Sequence, residues 1–518
     1  MTEHYLDRLA RTIRDNWDQS ALTDFYLTDE GTAQDTTRGN HYTYGEMYCQ
    51  MMRLGELFRA LGLKKGDHIA ICGSNSANWA VAYLAIAAYQ GVVVTVLHSQ
   101  STEDIARQID FSDAVALFTD RDIWDELREQ HLLQIKHVIS LEDFSILHSV
   151  DAGAVYGPES ATDALPLRYP CANDTVIIPH GEPDDLAMIC FTSGSTSTSK
   201  GIMLSNRNMN NNAKNITDGY PDDETEVFLS VLPMAHIYGF MTEILAQLLK
   251  GKHVYVLSSI ITTDSLYNAI SLTKPYALRL IPFMLSGLMH AHQDCISRLK
   301  TCKQIYIGGS LFDEQIEEKL LKNQVPISIG YGQTETGPLI SYSVCSQYKQ
   351  GTCGKIVEGM TALISRSGEI LVKGENVMLG YYKNPEATAE KIDKDGWLHT
   401  GDAGWMDKDG YLYVTGRIRH DLIVLPNGEN IHPEDIERKI NALPEVSESI
   451  VLAREGKLVA IVVPATPLAL GEGQGVRLSV LDAINSQLPL YSQLYDVECL
   501  SEPLQKTEKQ TIKRYLYR

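Results

Sequence analysis

The sequence predicts an α/β protein in two parts: a large N-terminal domain of parallel sheets with a β-rich subdomain, then a small, mobile C-terminal α+β domain. Three observations predict it. Short apolar runs without polar alternation recur as far as Leu363, each preceded by a helix-like segment, the pattern of parallel strands buried on both faces. Beyond Leu363 the texture turns to short strands with glycine turns, GEILVKGENVMLGYY and GYLYVTGRI. The last stretch, about 100 residues, carries one amphipathic helix and a hairpin pattern.

In chain order, GELFRALGL reads as helix, DHIAICG as strand, Asn78 to Tyr89 as helix and Val92 to Leu97 as strand. Trp79 to Leu97 is the one candidate membrane span, but Gln90-Gly91 divides it into an Ala-rich helix and a Val-rich strand, so a buried αβ unit is expected instead. LAMICF reads as a strand, and GIMLSNRNM as the start of a helix. The strand runs continue with Val254 to Ser258, Tyr276 to Ile281, Lys303 to Gly309 and Pro326 to Gly332. IHPEDIERKINAL has a proline near a helix start and Ile436, Ile440 and Leu443 on one face. SIVLARE and KLVAIVVPA form a hairpin pair, and Thr466 to Ser479 is expected as a surface loop. The boundary falls at Gly416-Arg417, giving domains 1–417 and 418–518.

The chain has 518 residues, 44% apolar and 21% charged, the composition of a soluble globular enzyme. Lys+Arg is 45 against Asp+Glu 66, a net charge of −21, which argues against nucleic acid or an anionic membrane as the main partner. An anionic ligand must therefore be held by a local site. The nine cysteines contain no C-x-x-C pair, so reduced thiols in a cytoplasm are expected, with neither disulfide scaffold nor zinc site. The N-terminus is charged from Glu3 and has no signal h-region.

FTSGSTSTSKG, Phe191 to Gly201, puts seven hydroxyl residues, two glycines and one lysine into eleven positions. Hydroxyls, glycine amides and a lysine suit a loop that wraps phosphate oxygens. It is not a Walker A loop, because Ser199 stands at the second glycine position and Gly201 follows Lys200. A plain Ser/Thr-rich linker is the competing reading, and the flanking elements count against it. Two strands end in the glycine turns IGG and GYG, and open α/β sheets bind ligands at the carboxyl ends of their strands.

The stretch resembles the phosphate loop of the adenylate-forming superfamily, which includes acyl-CoA synthetases, luciferases and peptide-synthetase adenylation domains. Further blocks resemble that family in order: LPMAHIYGF, IGGSLF, GYGQTETGP, GEILVKGENVMLGYYKNPEAT with GWLHTGD, and GRIRHDLIVLPNGENIHPEDIE. The resemblance implies formation of an acyl-adenylate from a carboxylic acid and ATP, with Mg²⁺, and transfer of the acyl group to CoA. It implies that Thr192, Ser193, Gly194, Ser195, Thr196 and Lys200 hold phosphates, and that Gly309, Ser310, Tyr331, Gly332 and Gln333 line the nucleotide. Thr334 would donate to the α-phosphate, Glu335 and Thr192 would meet the metal, Asp402 would accept from the ribose hydroxyls, and Arg417 would donate to the ribose or a phosphate. His236 would line the route between acid and adenylate, and Gly428 would come to the site after rotation about a hinge at Arg419.

The chain departs from the family pattern in two places. Ser197 and Ser199 stand where glycine and proline are usual. Near the C-terminus, KTEKQTIKR has Thr511 at the usual lysine position and Gln510 at the glycine. Lys509 is the expected substitute, with Lys513 and Arg514 read as a surface pair. The length and LPNGENIHPEDIE are most like fatty acyl-CoA synthetases of the long-chain type. Alternatives are an aryl or carnitine-type acid, an acyl carrier protein as acceptor, or a nucleotide-binding homologue impaired in catalysis. Acyl-pocket residues are expected within Asn208 to Tyr238 and Leu280 to Gly287. The expected partners are small molecules, with no nucleic acid and no transmembrane segment; a homodimer and loose membrane association for a lipid substrate are carried as further expectations.

Overall fold

A computed structural model of the chain describes residues 3–28, 31, 33–35, 38–130, 132–150, 171–191, 200–219, 227–258, 261–417, 423–424, 430–431, 433–454, 457–466, 473–486, 488, 493–506 and 512–517. Its centre is an eight-stranded sheet. Five strands run parallel, in the order Leu186–Phe191, Val92–Thr95, His68–Cys72, Ala116–Thr119 and His137–Ser140. Buried on both faces, these strands are continuous apolar runs, which is why the sequence exposes them. The helix Ala77–Ala88 packs beside them with Trp79, Tyr83 and Leu84 fully buried. The candidate membrane span is therefore a buried helix and the strand Val92–Thr95, as the sequence predicts. Among the described residues no helix is long and apolar enough to cross a membrane.

A second parallel set joins Val227–Ser230, His253–Leu257 and Ser20–Leu27, and a third joins Ala277–Leu280, Gln304–Ile307 and Ile327–Ile329. The β-rich subdomain is an antiparallel sheet of Met360–Ile364, Glu369–Gly374, Leu398–Met406 and Leu412–Arg417. Toward the C-terminus, Val446–Arg454 and Lys457–Pro464 form the expected antiparallel pair, and Asp496–Cys499 adds a parallel strand. The helix Pro433–Asn441 turns Ile436 and Ile440 into the core beneath them.

Four local expectations are corrected. GIMLSNRNM does not begin as a helix: Gly201–Ser205 is a strand antiparallel to Leu186–Phe191, and the helix starts at Asn206. Part of the expected loop at 466–479 belongs to the helix Gly473–Asn485, which buries Val480 and Ile484 one turn apart. Arg514 is not on the surface: it makes a two-point pair with Glu437 at 2.6 and 2.5 Å, which folds the last residues back on the small domain. Finally, Cys49 and Cys171 are joined as a disulfide, with Cα atoms 5.4 Å apart, rather than reduced. The two are 122 residues apart, so no local spacing announces the pairing. The fold lays the segment around Ile177 across the helix Tyr44–Ala60, where the Tyr48 hydroxyl donates to the Ile177 carbonyl at 3.3 Å.

Candidate functional site

The strand ends gather the blocks that the sequence singles out. Ile307 ends one parallel strand and Ile329 its neighbour, and the Gly330 amide donates to the Ile307 carbonyl at 2.9 Å. Gly309 has φ +95°, a left-handed conformation that favours glycine. A Cβ on Gly308 would lie 3.4 Å from the Tyr238 hydroxyl, so the HIYG segment packs on this turn. His236 caps the short helix Ile237–Gly239, its Nδ1 accepting from the Tyr238 amide at 3.2 Å.

The GYGQTETGP segment forms a tight turn. A Cβ on Gly332 would sit 1.8 Å from the Pro338 carbonyl oxygen, so only glycine fits there. Tyr331–Gly332 pairs with Leu339–Tyr342 in a separate small sheet, which divides the single strand read at 326–332. A single 3-10 turn, Thr334–Thr336, follows and presents Thr334 and Glu335, both half-buried. The turn is tied down from behind by Asn212, whose amide donates to the Thr336 carbonyl at 3.1 Å and accepts from the Leu339 amide at 2.9 Å.

Asp402 lies in the strand Leu398–Met406 and is only 5% exposed. Its Oδ2 accepts from the Tyr331 hydroxyl and from Gln333 Nε2, each at 2.6 Å, and its Oδ1 meets Arg417 Nε at 2.9 Å. Burial, and then the Asp402 charge, push the Tyr331 hydroxyl well above its usual pKa, so it donates as a neutral phenol. Among the described residues Gln333 Oε1 is buried without a hydrogen-bond partner. A buried acceptor left open beside an acidic cluster suits a ligand hydroxyl or amine.

Across the turn, Glu335 Oε1 accepts from the Tyr381 hydroxyl at 2.8 Å. Burial, then Glu335, raise the Tyr381 pKa. Tyr381 belongs to the edge strand Gly380–Tyr381, which pairs with Gly201–Ser205, and this brings Lys200 Nζ to 4.8 Å from the centre of the Tyr381 ring. Lys200, Tyr381 and Glu335 thus form one line from the serine-threonine stretch to the acidic turn. Thr192, Ser193, Gly194, Ser195, Thr196, Arg419, Gly428, Lys509 and Thr511 lie outside the described residues.

Sequence reasoning missed three contributors. Tyr381 holds Glu335, and Lys391 reaches the Thr400 carbonyl at 3.0 Å beside the Asp402 cluster. The third is the helix Asn206–Gly219, where Asn208, Asn211, Asn212 and Asn215 are buried. Asn208 donates to the Glu375 and Val377 carbonyls at 2.7 and 2.9 Å, and Asn211 to the Glu358 carbonyl at 3.0 Å. These asparagines fasten backbone around the site. Their i, i+3, i+4, i+7 spacing is the signal of a helix face, here a polar one turned inward.

Among the described residues no group of three or more His, Cys, Asp or Glu side chains is placed to hold a metal. A magnesium ion at Glu335 would take its other ligands from phosphate oxygens and water, the usual habit of that cation, so a lone carboxylate fits.

A family model described as AMP-binding enzyme matches residues 11–382, and one described as AMP-binding enzyme C-terminal domain matches residues 420–517. The chain belongs to the AMP-binding enzyme family. Among curated relatives of this family member, peroxisomal OPC-8:0-CoA ligase 1 of Arabidopsis thaliana is 25% identical over 490 residues, covering 90% of this chain and 86% of that protein. 4-Coumarate–CoA ligase 4 of the same plant is 26% identical over 491 residues, covering 89% and 83%. The o-succinylbenzoate CoA synthetase of Bacillus subtilis, solved with its acyl-adenylate intermediate, superposes with a TM-score of 0.78 at 23% identity, covering 99% of this chain and 97% of that one. The same synthetase, solved with ATP and a magnesium ion, gives a TM-score of 0.76 at 23% identity, covering 98% of each chain. The fold is that of adenylate-forming enzymes, a large N-terminal domain with parallel sheet and a smaller C-terminal one.

Proposed function

We propose that the protein is an AMP-forming acid–CoA ligase, joining a carboxylic acid to ATP as an acyl-adenylate and passing the acyl group to the CoA thiol. The observation that carries this reading is the Asp402 cluster with Glu335 one turn away. The pair offers a buried hydroxyl-accepting group and a carboxylate for a hard cation, at the strand ends where an α/β sheet binds its ligand. The naming of both curated relatives as CoA ligases supports it.

In the first half-reaction the acid's carboxylate oxygen attacks the α-phosphorus and pyrophosphate leaves. Asp402 accepts from the ribose hydroxyls, with Gln333 Oε1 as a further acceptor, while Tyr331 and Gly309-Ser310 flank the base. Thr334 donates to an α-phosphate oxygen, and Lys200 with the 192–196 stretch holds the other phosphates. Glu335, with Thr192 as second contact, would hold the magnesium ion, which when bound would supply positive charge to the phosphate oxygens. His236 lies on the acid's route. In the second half-reaction residues 418–518 turn about Arg419, bring Gly428 to the site, and the CoA sulfur displaces AMP. The division at 417/418 belongs to this proposal, and the gap between the two family matches supports it.

For the acid, a fatty acid is the reading drawn from the sequence, and the names of the curated relatives favour an arylpropenoic acid as the second. ATP–pyrophosphate exchange across fatty, aryl and dicarboxylic acids tests the proposal. Acid-dependent and magnesium-dependent exchange, followed by thioester formation with CoA and none with an acyl carrier protein, is the expected result. ATP binding without exchange for any acid would overturn it in favour of a non-catalytic nucleotide-binding homologue.

A further inference from the structure

The helix Pro385–Lys391 begins under an Asn384 cap, whose Oδ1 accepts from the Ala387 amide at 2.9 Å, and ends on a lysine. A lysine at a helix end normally projects into water, where it complements the terminal carbonyls. Lys391 instead turns inward. Its ammonium donates to the Thr400 carbonyl at 3.0 Å, an oxygen that also accepts from Gln333 Nε2 at 2.9 Å. Lys391 is therefore one shared acceptor away from Asp402, which the same Gln333 amide contacts at 2.6 Å.

This position is costly for a cation. Lys391 is half-buried, and burial lowers its pKa from the ordinary lysine value. The carboxylates of Glu335, Asp402 and Glu369 act on it from around the site, with the Arg417 charge opposing them. Yet among the described residues no carboxylate comes within ion-pair distance of Lys391. Among the described residues one of its three N–H donors is used, on a neutral carbonyl. A partly desolvated ammonium held near an acidic cluster without direct pairing recovers its solvation cost when an anion arrives.

The other cations described at the site have their own contacts, and in the adenylation reading Lys200 serves the departing phosphates rather than the α-phosphate. Arg417 meets Asp402 at 2.9 Å, and Lys200 lies 4.8 Å over the Tyr381 ring. Adenylation brings two anions together, a carboxylate and an α-phosphate, and a cation at their junction lowers the barrier. A lysine side chain is a flexible point charge that can rotate from the Thr400 carbonyl onto such a group without moving the helix.

We propose that Lys391 contacts the reactants directly, its ammonium donating to the α-phosphate and to the carboxyl oxygen joined to it. The inference rests on the adenylation reading above. It makes Lys391 a catalytic residue outside the blocks that carry the family resemblance.

Calorimetric binding of AMP and of adenosine to the full chain tests it, for the wild type, Lys391→Met, Lys391→Gln and, as control, Lys394→Ala, an exposed lysine three residues on. The two Lys391 variants are expected to weaken AMP by about tenfold to a hundredfold, the worth of a charge-assisted contact, and adenosine by less than about threefold. Lys394→Ala should change neither, and Lys391→Arg should regain most of the AMP affinity. A lysine that merely props the helix would weaken both ligands equally. Equal losses, or unchanged AMP binding in a folded variant, would overturn the inference and leave the adenylation reading standing. A wild type that binds neither ligand would overturn both.

Discussion

The two acidic residues at the centre of the site are held in opposite ways. Asp402 is buried and takes hydrogen bonds or ion pairing from Tyr331, Gln333 and Arg417, so three side chains fix its orientation before any ligand arrives. Glu335 stands half-buried on a single 3-10 turn with one described side-chain donor, Tyr381. A group that binds a constant part of the ligand gains from being fixed in advance. A group that must meet a metal and follow moving phosphates needs acceptor capacity left open. Under the proposed function, this difference would give ATP binding mainly to Asp402 and metal-assisted chemistry mainly to Glu335.

The largest effect is expected at Glu335. Glu335→Ala should lower turnover in pyrophosphate exchange by about a hundredfold or more, the cost of losing a key electrostatic group. Exchange close to wild type would detach the metal role from this residue. Asp402→Ala should instead weaken ATP by an amount on the order of tenfold to a hundredfold, with 2′-deoxy-ATP affected much less than ATP because it has less to lose. Equal small losses for both nucleotides would remove the ribose role.

Tyr381→Phe sharpens the contrast with a milder change. Removing the hydroxyl that orients Glu335 should cut turnover by about tenfold and leave the KM for ATP within about twofold. A loss confined to KM would place Tyr381 on the binding side.

The smallest effect concerns stability away from the site. His253 is held down to about 4 from 6.5, by burial first and then by the neighbouring His41 charge. A depressed histidine is neutral when folded, so its contribution is present above 6.5 and is lost as pH falls toward about 4. Chemical denaturation should show a loss of at most about 2 kcal/mol between pH 7 and pH 5 from this group, and His253→Gln should flatten the slope. An unchanged slope would show that His253 does not carry that dependence.

The parallel strands were legible because they are apolar on both faces, and the glycine turns IGG and GYG because Gly309 takes a positive φ and Gly332 has no room for a Cβ. Tyr331, Glu335, Asp402 and Arg417 were legible as motif residues, and the fold brings them together. What stayed hidden is whatever depends on distant pairing. Nothing near Asn212 says that it will hold the Thr336 carbonyl, and nothing near Tyr381 says that its hydroxyl will reach Glu335. Lys391 reads as an ordinary helix-end lysine until the Thr400 carbonyl is placed beside it. The strand Gly201–Ser205 was misread because its residues carry no period, and its pairing with Leu186–Phe191 decides its state. The helix Gly473–Asn485 was masked by its glycines, although Val476, Val480 and Ile484 keep a four-residue spacing.

The division of labour is tested most directly by ATP titrations of pyrophosphate exchange, run side by side on the wild type, Asp402→Ala and Glu335→Ala. A raised KM for ATP with turnover largely kept is expected in Asp402→Ala, and collapsed turnover with little change in KM in Glu335→Ala. The same parameter changing to the same degree in both variants would contradict that division.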